Sequence, residues 1–477
     1  MPTDLDRHTV QRAIGAFVGA AVGDALGAPF EYGESGAYTA TFPVPVLGGR
    51  GEMTGGGGWA PGEFTDDTQM ALVLAESLLA ADGLDPVAVW AGWRAWAATA
   101  ADVGIITRNV LGASDPTGAA AATHTRLGGR SAGNGAVMRN TPVALFTLGD
   151  DDAAAFALSG AQAALTHHDP AAHTGAVLHT AMLRAGIRGD DVFAALDAAV
   201  AALPEPERAR WSAWLAPDWT PDRATASNGT VWGCLAEAVW SVRTSSSFAE
   251  AVVRAVDRGN DADTVACVAG SIAGARWGVQ AIPSRWTTYL NGWTDTPTGR
   301  RTYDSAALID LARALLGLTP VPLVENERAA APARIHPDVP LYAANWQGAV
   351  GAPTDWAVLS LCRTGGRFAD HPVRRELYLI DRYHPDDNPG LATVLTDAVD
   401  TLDAFLAEAP DRPVVVHCHG GRSRTALVAK AWAMRRHGWD EATAHEWLTA
   451  AWPLADRSNE VFVSHLRGII PGSPPQG

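Results

Sequence analysis

The sequence predicts a multidomain protein, a large, mostly helical domain followed by a smaller α/β domain. Ala-rich segments of helical periodicity, such as MALVLAESLLA and AVLHTAMLRAG, recur to about Leu318, separated by Gly, Pro and Asp. From Thr319 to Pro340 the chain becomes polar and Pro-punctuated (TPVPLVENERAAAPARIHPDVP), with no sustained period. Beyond it, the β-compatible runs WAVLSLC, ELYLI and VVVHC alternate with the helical stretches LATVLTDAVDTLDAFLAEA and RTALVAKAWAMRRHG. That is the pattern of a small, mostly parallel sheet with helices on its faces. The expected division is a domain over 1–320, a linker over 321–337 and a domain over 338–477.

Length and composition agree with this division. A chain of 477 residues exceeds one ordinary hydrophobic core. With 47% hydrophobic and 18% charged residues, and 18 Trp to bury, wholesale disorder is excluded. A formal net charge of -16 repels phosphate, so neither nucleic-acid binding nor attachment to an anionic membrane is expected, although local positive pockets are allowed. Cys234, Cys267, Cys362 and Cys418 are scattered, with no CxxC pair, which suits a reducing compartment. The N-terminus (MPTDLDRHTVQR) is charged where a secretory apolar region would lie. No run approaches the roughly 18 uninterrupted apolar residues of a membrane span. A soluble, cytoplasmic protein is expected.

Glycines recur every four residues at Gly15, Gly19, Gly23 and Gly27, and again at Gly270, Gly274 and Gly278. On helices these are smooth faces that permit close backbone approach at the expense of helix propensity. The two helices are therefore expected at the centre of the first domain, against each other.

Acidic residues gather at two predicted helix starts. GEFTDDTQMALVLAESLL places Thr65, Asp66 and Asp67 at the first turn of one apolar helix, and RGNDADTVACVAGSIAGARWG places Asp261, Asp263 and Thr264 at that of another. Capping alone could account for such residues. Four carboxylates and several hydroxyls also form an all-oxygen donor set, suited to Mg²⁺ or Mn²⁺ rather than zinc.

The segments GAFVGAAVGDALGAPFE, GEFTDDTQM, GNGAVMR, LTHHDP and GNDADT occur in the order typical of ADP-ribosylglycohydrolases, and this part of the chain resembles that family. The resemblance implies an all-α domain with two Mg²⁺ (or Mn²⁺) ions, ligated by Thr65, Asp66 and Asp67 on one side and Asp261, Asp263 and Thr264 on the other. It further implies that Glu31 transfers a proton or helps to hold the second ion, that Gly133, Asn134 and Gly135 embrace ribose and diphosphate, and that His167 lies near the adenosine end. The sequence departs from the family pattern at Asn260 and Ala262, where Gly and Thr are common; neither change removes an expected ligand.

The segment RPVVVHCHGGRSRTALVAKAW reads as a buried strand ending at His417 and Cys418, a loop with Gly420 and Gly421, and a helix opening at Arg424 and Thr425. Loop N–H groups and the positive end of a helix lower a thiol's pKa and cradle an anion, and an arginine fork matches phosphate oxygens. Neither a structural cysteine nor a zinc site accounts for Arg424 and the paired glycines. The segment resembles the signature loop of cysteine-dependent phosphatases, especially the dual-specificity branch, over roughly residues 335–470. That resemblance implies Cys418 as nucleophile, Thr425 as a hydrogen-bond partner of its sulfur, no cofactor, and a leaving-group acid upstream. By spacing Asp386 is expected to be that acid, with Asp387 next and Asp381 a residue that orients the loop. His419 and Arg422, both bulky and potentially cationic, depart from the usual loop.

Together these features imply a bifunctional hydrolase acting on an ADP-ribosylated protein or small molecule and on a phosphorylated substrate. The alternatives are a reader of ADP-ribose or phosphate with one domain catalytically silent, or a hydrolase of a small ADP-ribose derivative.

Overall fold

The computed structural model describes residues 5–320 and 328–469, which segregate into two units with separate cores. The first unit runs to Val44 and comprises in addition Met53–Ile282 and Tyr289–Pro320. Its principal helices are α1 (Arg7–Gly27), α2 (Asp66–Ala81), α3 (Pro170–Arg188), α4 (Val231–Arg243), α5 (Phe248–Val256) and α6 (Ala262–Trp277).

Asp6 starts α1 by accepting the Thr9 N–H at 2.9 Å. The helix then packs antiparallel on α6 through the two glycine stripes. Gly15 lies against Gly274, Gly19 against Gly270, Gly23 against Ala266 and Gly27 against Asp263. A methyl group on any of these four α1 glycines would overlap α6 backbone, so the helices touch main chain to main chain. The segment Arg7–Phe30 is, contrary to expectation, long and apolar enough to cross a membrane, but 89% of its most apolar window is buried within the protein. It is a core helix whose small residues raise its hydropathy.

The first unit departs from the expected all-α fold by a β-hairpin, β1 (Asn291–Thr296) and β2 (Gly299–Asp304), in which Trp293 faces Thr302 across the ladder. Arg300 stacks 3.6 Å from the Trp293 ring and grips Asp295 through two bonds of 2.9 and 3.0 Å. A short alternating run around a turn has too few residues to interrupt the helical periodicity of its flanks. Trp93 and Trp96 are fully buried, with indole N–H groups donated to the Met70 carbonyl and to Gln69.

In the second unit, strands β3 (Ala333–Arg334), β4 (Leu341–Asn345), β5 (Ala357–Ser360), β6 (Arg374–Glu376) and β7 (Val414–Cys418) lie in the order β3-β4-β7-β5-β6. Only β3 runs antiparallel to its neighbour. Helices α7 (Leu391–Glu408), α8 (Ser423–His437), α9 (Glu441–Ala451) and α10 (Glu460–Gly468) accompany the sheet. Its core gathers Val414 and Val416 with Leu402, Phe405, Leu427 and Trp432.

Three boundaries differ from expectation. Of the linker 321–337, residues 321–327 lie outside the described residues, whereas Ala333–Arg334 is an edge strand and Ile335 is buried. The strand expected at ELYLI is instead Arg374–Glu376, because its partner β5 ends at Ser360 and the last ladder bond is Leu377 N–H to the Ser360 carbonyl. Finally, Pro45–Glu52 and Pro283–Thr288 belong to the second unit. Arg375, fully buried, donates to the carbonyls of Gly49 (2.6 Å) and Leu47 (2.9 Å). Glu52, also buried, accepts from Arg285 Nε and the Trp286 indole at 2.9 and 2.8 Å.

Two outcomes follow. Gly23→Ala should lower stability by about 2–4 kcal/mol, because it places a methyl on backbone that cannot retreat, whereas Gly160→Ala, at an open position in another helix, should cost far less. Glu52→Ala should cost about 3–5 kcal/mol by leaving the Arg285 charge buried and unpaired. Urea unfolding followed by tryptophan fluorescence measures both.

Candidate functional site

The acid centre of the first unit begins with Asp24, near the end of α1 and fully buried. Its carboxylate accepts the Thr65 N–H (2.9 and 3.1 Å), the Thr68 N–H (3.0 Å) and the Thr68 hydroxyl (2.5 Å). A carboxylate remote in sequence thus caps α2. Thr65, at the N-cap position, makes no side-chain cap bond, and neither does Asp261 at the start of α6. Capping therefore does not account for Thr65 or Asp261. Thr65 Oγ1 lies 3.4 Å and Thr264 Oγ1 3.3 Å from the same Asp67 Oδ2, joining the two helix starts. Asp67 Oδ1 is buried with no hydrogen-bond partner among the described residues.

Two sets of carboxylate oxygens result, Asp24–Asp67–Asp263 and Glu31–Asp261–Asp263, each with its oxygens within 4.8 Å of one another and with Asp263 in both. Burial pushes the Asp24 carboxyl up to about 6. Burial, with Asp102, Asp261 and Asp24 nearby, pushes Glu31 up to about 7. Asp66, Asp67 and Asp263 are raised well above the carboxylate range, first by burial and then by the surrounding negative charge. So many buried like charges are costly unless cations offset them. The donor set is all oxygen, an orphaned buried carboxylate oxygen lies within it, and the two sets share one residue. It fits hard divalent ions, which Asp24, Asp67, Asp263, Asp261 and Glu31 would hold, with the Thr65 and Thr264 hydroxyls beside Asp67. Bound there, such ions supply Lewis acidity and an activated water.

The loop bearing Glu31 is tied to the α6 start. Tyr32 donates its N–H to the Asn260 carbonyl at 2.5 Å, and Asn260 returns its N–H to Gly33 at 2.9 Å. Asn260 has φ 53°, a left-handed conformation that Asn tolerates, so it can stand where a glycine is common.

The Asn134 side-chain amide donates to Asp261 Oδ2 at 2.8 Å and to the Asn228 carbonyl at 3.1 Å. It holds the Asp261 carboxylate in place. Gly133 and Gly135 flank the buried His167, and a Cβ at either would stand 3.4 and 3.0 Å from its ring. His167 Nδ1 lies 2.8 Å from Thr166 Oγ1, which accepts from the fully buried Arg139 at 2.7 Å. Burial, reinforced by the Arg139 charge, holds His167 near pKa 3, so the ring is neutral.

In the second unit, β7 delivers Cys418, almost wholly buried, to the start of a loop that feeds α8. Gly421 has φ 67° and its carbonyl accepts the Trp452 indole at 2.7 Å, which anchors the loop. His417 Nε2 lies 2.7 Å from Ser360 Oγ, and burial lowers its pKa to about 3. The fully buried Thr425 hydroxyl has no partner among the described residues. Arg424 donates to the carbonyls of Leu361 (2.9 Å) and Leu379 (3.3 Å) and holds its Nε 3.4 Å from Asp381.

Of the aspartates expected near this loop, Asp381 makes a hydrogen bond to it. Asp386 is exposed and pairs with His384 at 3.6 Å. Asp381 instead accepts from the Ser423 hydroxyl and from Asn459 at 3.1 Å. Asn388 is the reason: its amide bonds both the N–H (2.9 Å) and the carbonyl (2.7 Å) of Ile380, so the residues between form a closed excursion.

Residues 5–322 match the ADP-ribosylglycohydrolase family. The chain belongs to that family. ADP-ribosylarginine hydrolase Tri1 of Serratia proteamaculans is 32% identical over 297 residues, 60% of this chain and 76% of that protein. A solved ADP-ribosylglycohydrolase-related protein complex superposes with TM-score 0.51 at 32% identity, covering 66% of this chain and all of that one. In the second unit, 80 residues are 36% identical to the protein-tyrosine-phosphatase IBR5 of Arabidopsis thaliana, which is 17% of this chain and 30% of that protein.

Sequence reasoning missed three residues of this ADP-ribosylglycohydrolase site. Asp24 lies within the glycine period of GAAVGDALGAPFE, a helical stretch with no helix-start signal at that position. Arg139 closed another, GNGAVMR. Asp102, whose charge acts on Glu31 and Asp66, has no local signal.

Mg²⁺ or Mn²⁺ at 100-fold its dissociation constant should stabilise the wild type by about 2.7 kcal/mol. Asp67→Asn should abolish most of that gain while raising the metal-free melting temperature, since it removes a buried charge. Differential scanning calorimetry with and without EDTA measures both effects.

Proposed function

We propose that the first unit is a divalent-metal-dependent hydrolase that releases ADP-ribose from an arginine side chain of a modified protein, and that the second is a cysteine-dependent phosphomonoesterase. The observation that carries the first reading is the convergence of Asp24, Asp67, Asp261 and Glu31 on Asp263. Family membership supports hydrolysis of an ADP-ribosyl bond, and likeness to an ADP-ribosylarginine hydrolase supports the arginine linkage. Mg²⁺ or Mn²⁺ is the cofactor. Glu31, half-buried with its carboxylate beside Asp261 and Asp263, is placed to exchange a proton at the scissile bond. Asn134 holds the Asp261 carboxylate, and His167 beside Gly133 and Gly135 is neutral and adds no positive charge there.

The phosphomonoesterase reading is supported by the Cys418 thiol at a strand end that feeds a glycine loop and a helix N-terminus, with Arg424 and Thr425 in the first turn of that helix. The likeness to IBR5 over 80 residues adds to it. In this reading Cys418 Sγ bonds phosphorus as the ester P–O bond breaks. Asp381 protonates the departing oxygen, and water then cleaves the S–P bond to release phosphate. Asp381, held on the loop by Ser423 and Asn459, is better placed for this than Asp386.

Arginine-linked ADP-ribose should be released by the wild type and lost with EDTA or Asp263→Asn; release from serine-linked substrate alone would reassign the linkage, and tight binding without release would make the unit a reader. With an aryl phosphate, Cys418→Ser should abolish turnover and Asp381→Asn should lower kcat by about 100-fold or more, while Asp386→Asn stays near wild type. The reverse order of the two Asp variants would return the acid to Asp386.

A further inference from the structure

The segment from Phe30 to Phe42, which follows directly on Pro29 and contains Glu31, holds four aromatic side chains. Three of them pack together: the Phe30 ring lies 5.3 Å from Tyr38 and 6.4 Å from Phe42, and Tyr38 lies 5.3 Å from Phe42. The fourth, Tyr32, takes no part in that cluster. It is 82% exposed, more than any other large apolar side chain among the described residues, and its ring has no aromatic or cationic partner among them.

The backbone holds Tyr32 in this position. Its φ is 60°, in the left-handed region that a bulky side chain disfavours. Three hydrogen bonds fix that conformation: Tyr32 N–H to the Asn260 carbonyl at 2.5 Å, Asn260 N–H to the Gly33 carbonyl at 2.9 Å, and Gly33 N–H to the Phe30 carbonyl at 2.9 Å. Glycine would adopt it without strain, so the feature this position adds is the aromatic ring itself. The Tyr32 hydroxyl donates to the Glu31 carboxylate, which pushes the phenol above its ordinary value. Glu31 in turn lies with its carboxylate oxygens within 4.8 Å of those of Asp261 and Asp263. An exposed ring therefore borders the acid centre, one residue from the group placed to exchange a proton at the scissile bond.

The acceptor released at that bond from ADP-ribosylated arginine is a guanidinium. It is planar, cationic and weakly hydrated, and stacks on an aromatic face; a serine hydroxyl has none of these properties. We infer that Tyr32 is a specificity-determining residue of the first unit, its exposed ring stacking on the guanidinium of the modified arginine beside Glu31. This rests on the arginine reading above and deepens it by naming the side chain that recognises the acceptor. ADP-ribose itself lacks the acceptor and makes no such contact, so the effect falls on KM for the arginine-linked substrate.

The test uses the full chain with Mg²⁺, an arginine-ADP-ribosylated peptide as substrate, and ADP-ribose as the ligand without an acceptor. Tyr32→Gly, which relaxes the backbone, should raise KM for the peptide about fivefold or more while the calorimetric Kd for ADP-ribose changes by less than about twofold. Tyr32→Phe, which keeps the ring, should leave both near wild type. An unchanged KM in Tyr32→Gly would overturn the inference and leave the arginine reading standing. So would a Tyr32→Phe variant as impaired as Tyr32→Gly, since the hydroxyl and not the ring would then act. Equal weakening of peptide and ADP-ribose in Tyr32→Gly would also overturn it, by showing a structural role alone. Wild-type protein that releases nothing from the arginine-linked peptide would overturn the arginine reading and this inference together.

Discussion

The backbone contact between α1 and α6 is the constraint on which the first unit depends. Four glycines of α1 lie on α6 with no side chain between, in a register that places Gly27 against Asp263. One turn before Gly27, Asp24 is thereby carried to the starts of both α2 and α6. Larger residues along that seam would separate the helices by several ångströms, the scale on which carboxylate oxygens within 4.8 Å either share an ion or do not. The glycines weaken each helix and in return set the depth of the acid centre.

That depth produces an exchange of roles. A carboxylate from α1 caps α2, so the acids at the two helix starts are released from capping and directed at one another. Asp24 alone is well supplied with donors; Asp67 keeps an orphaned oxygen, and burial raises the whole group. The arrangement is unfavourable by itself and becomes coherent with hard cations, so the residues that lower the stability of the metal-free fold are the ones that would bind metal. Asn134 and the Tyr32–Asn260 pairing steady its open side.

The second unit relies on interactions between residues far apart in the chain. Arg375 and Glu52 bind Pro45–Glu52 and Pro283–Thr288 into it, so 14 residues interrupting the family domain serve the α/β fold. At the Cys418 loop, Asn388 pinches Ile380 and selects which of three nearby aspartates reaches Ser423 and Arg424.

The sequence by itself determined the helical and α/β classes, the glycine seam, the two acidic helix starts and the VVVHC strand with its loop. Each is written in contiguous residues as a period, a spacing or a motif, and contiguous residues are what local physics reads. Tertiary structure alone decided that Asp24 joins the acid centre, that the Asn134 amide meets Asp261, that Asp381 bonds Ser423 at the Cys418 loop, and that β4, the hairpin and two distant segments take their places. Those outcomes depend on which groups meet across tens to hundreds of residues, and no local propensity encodes such meetings.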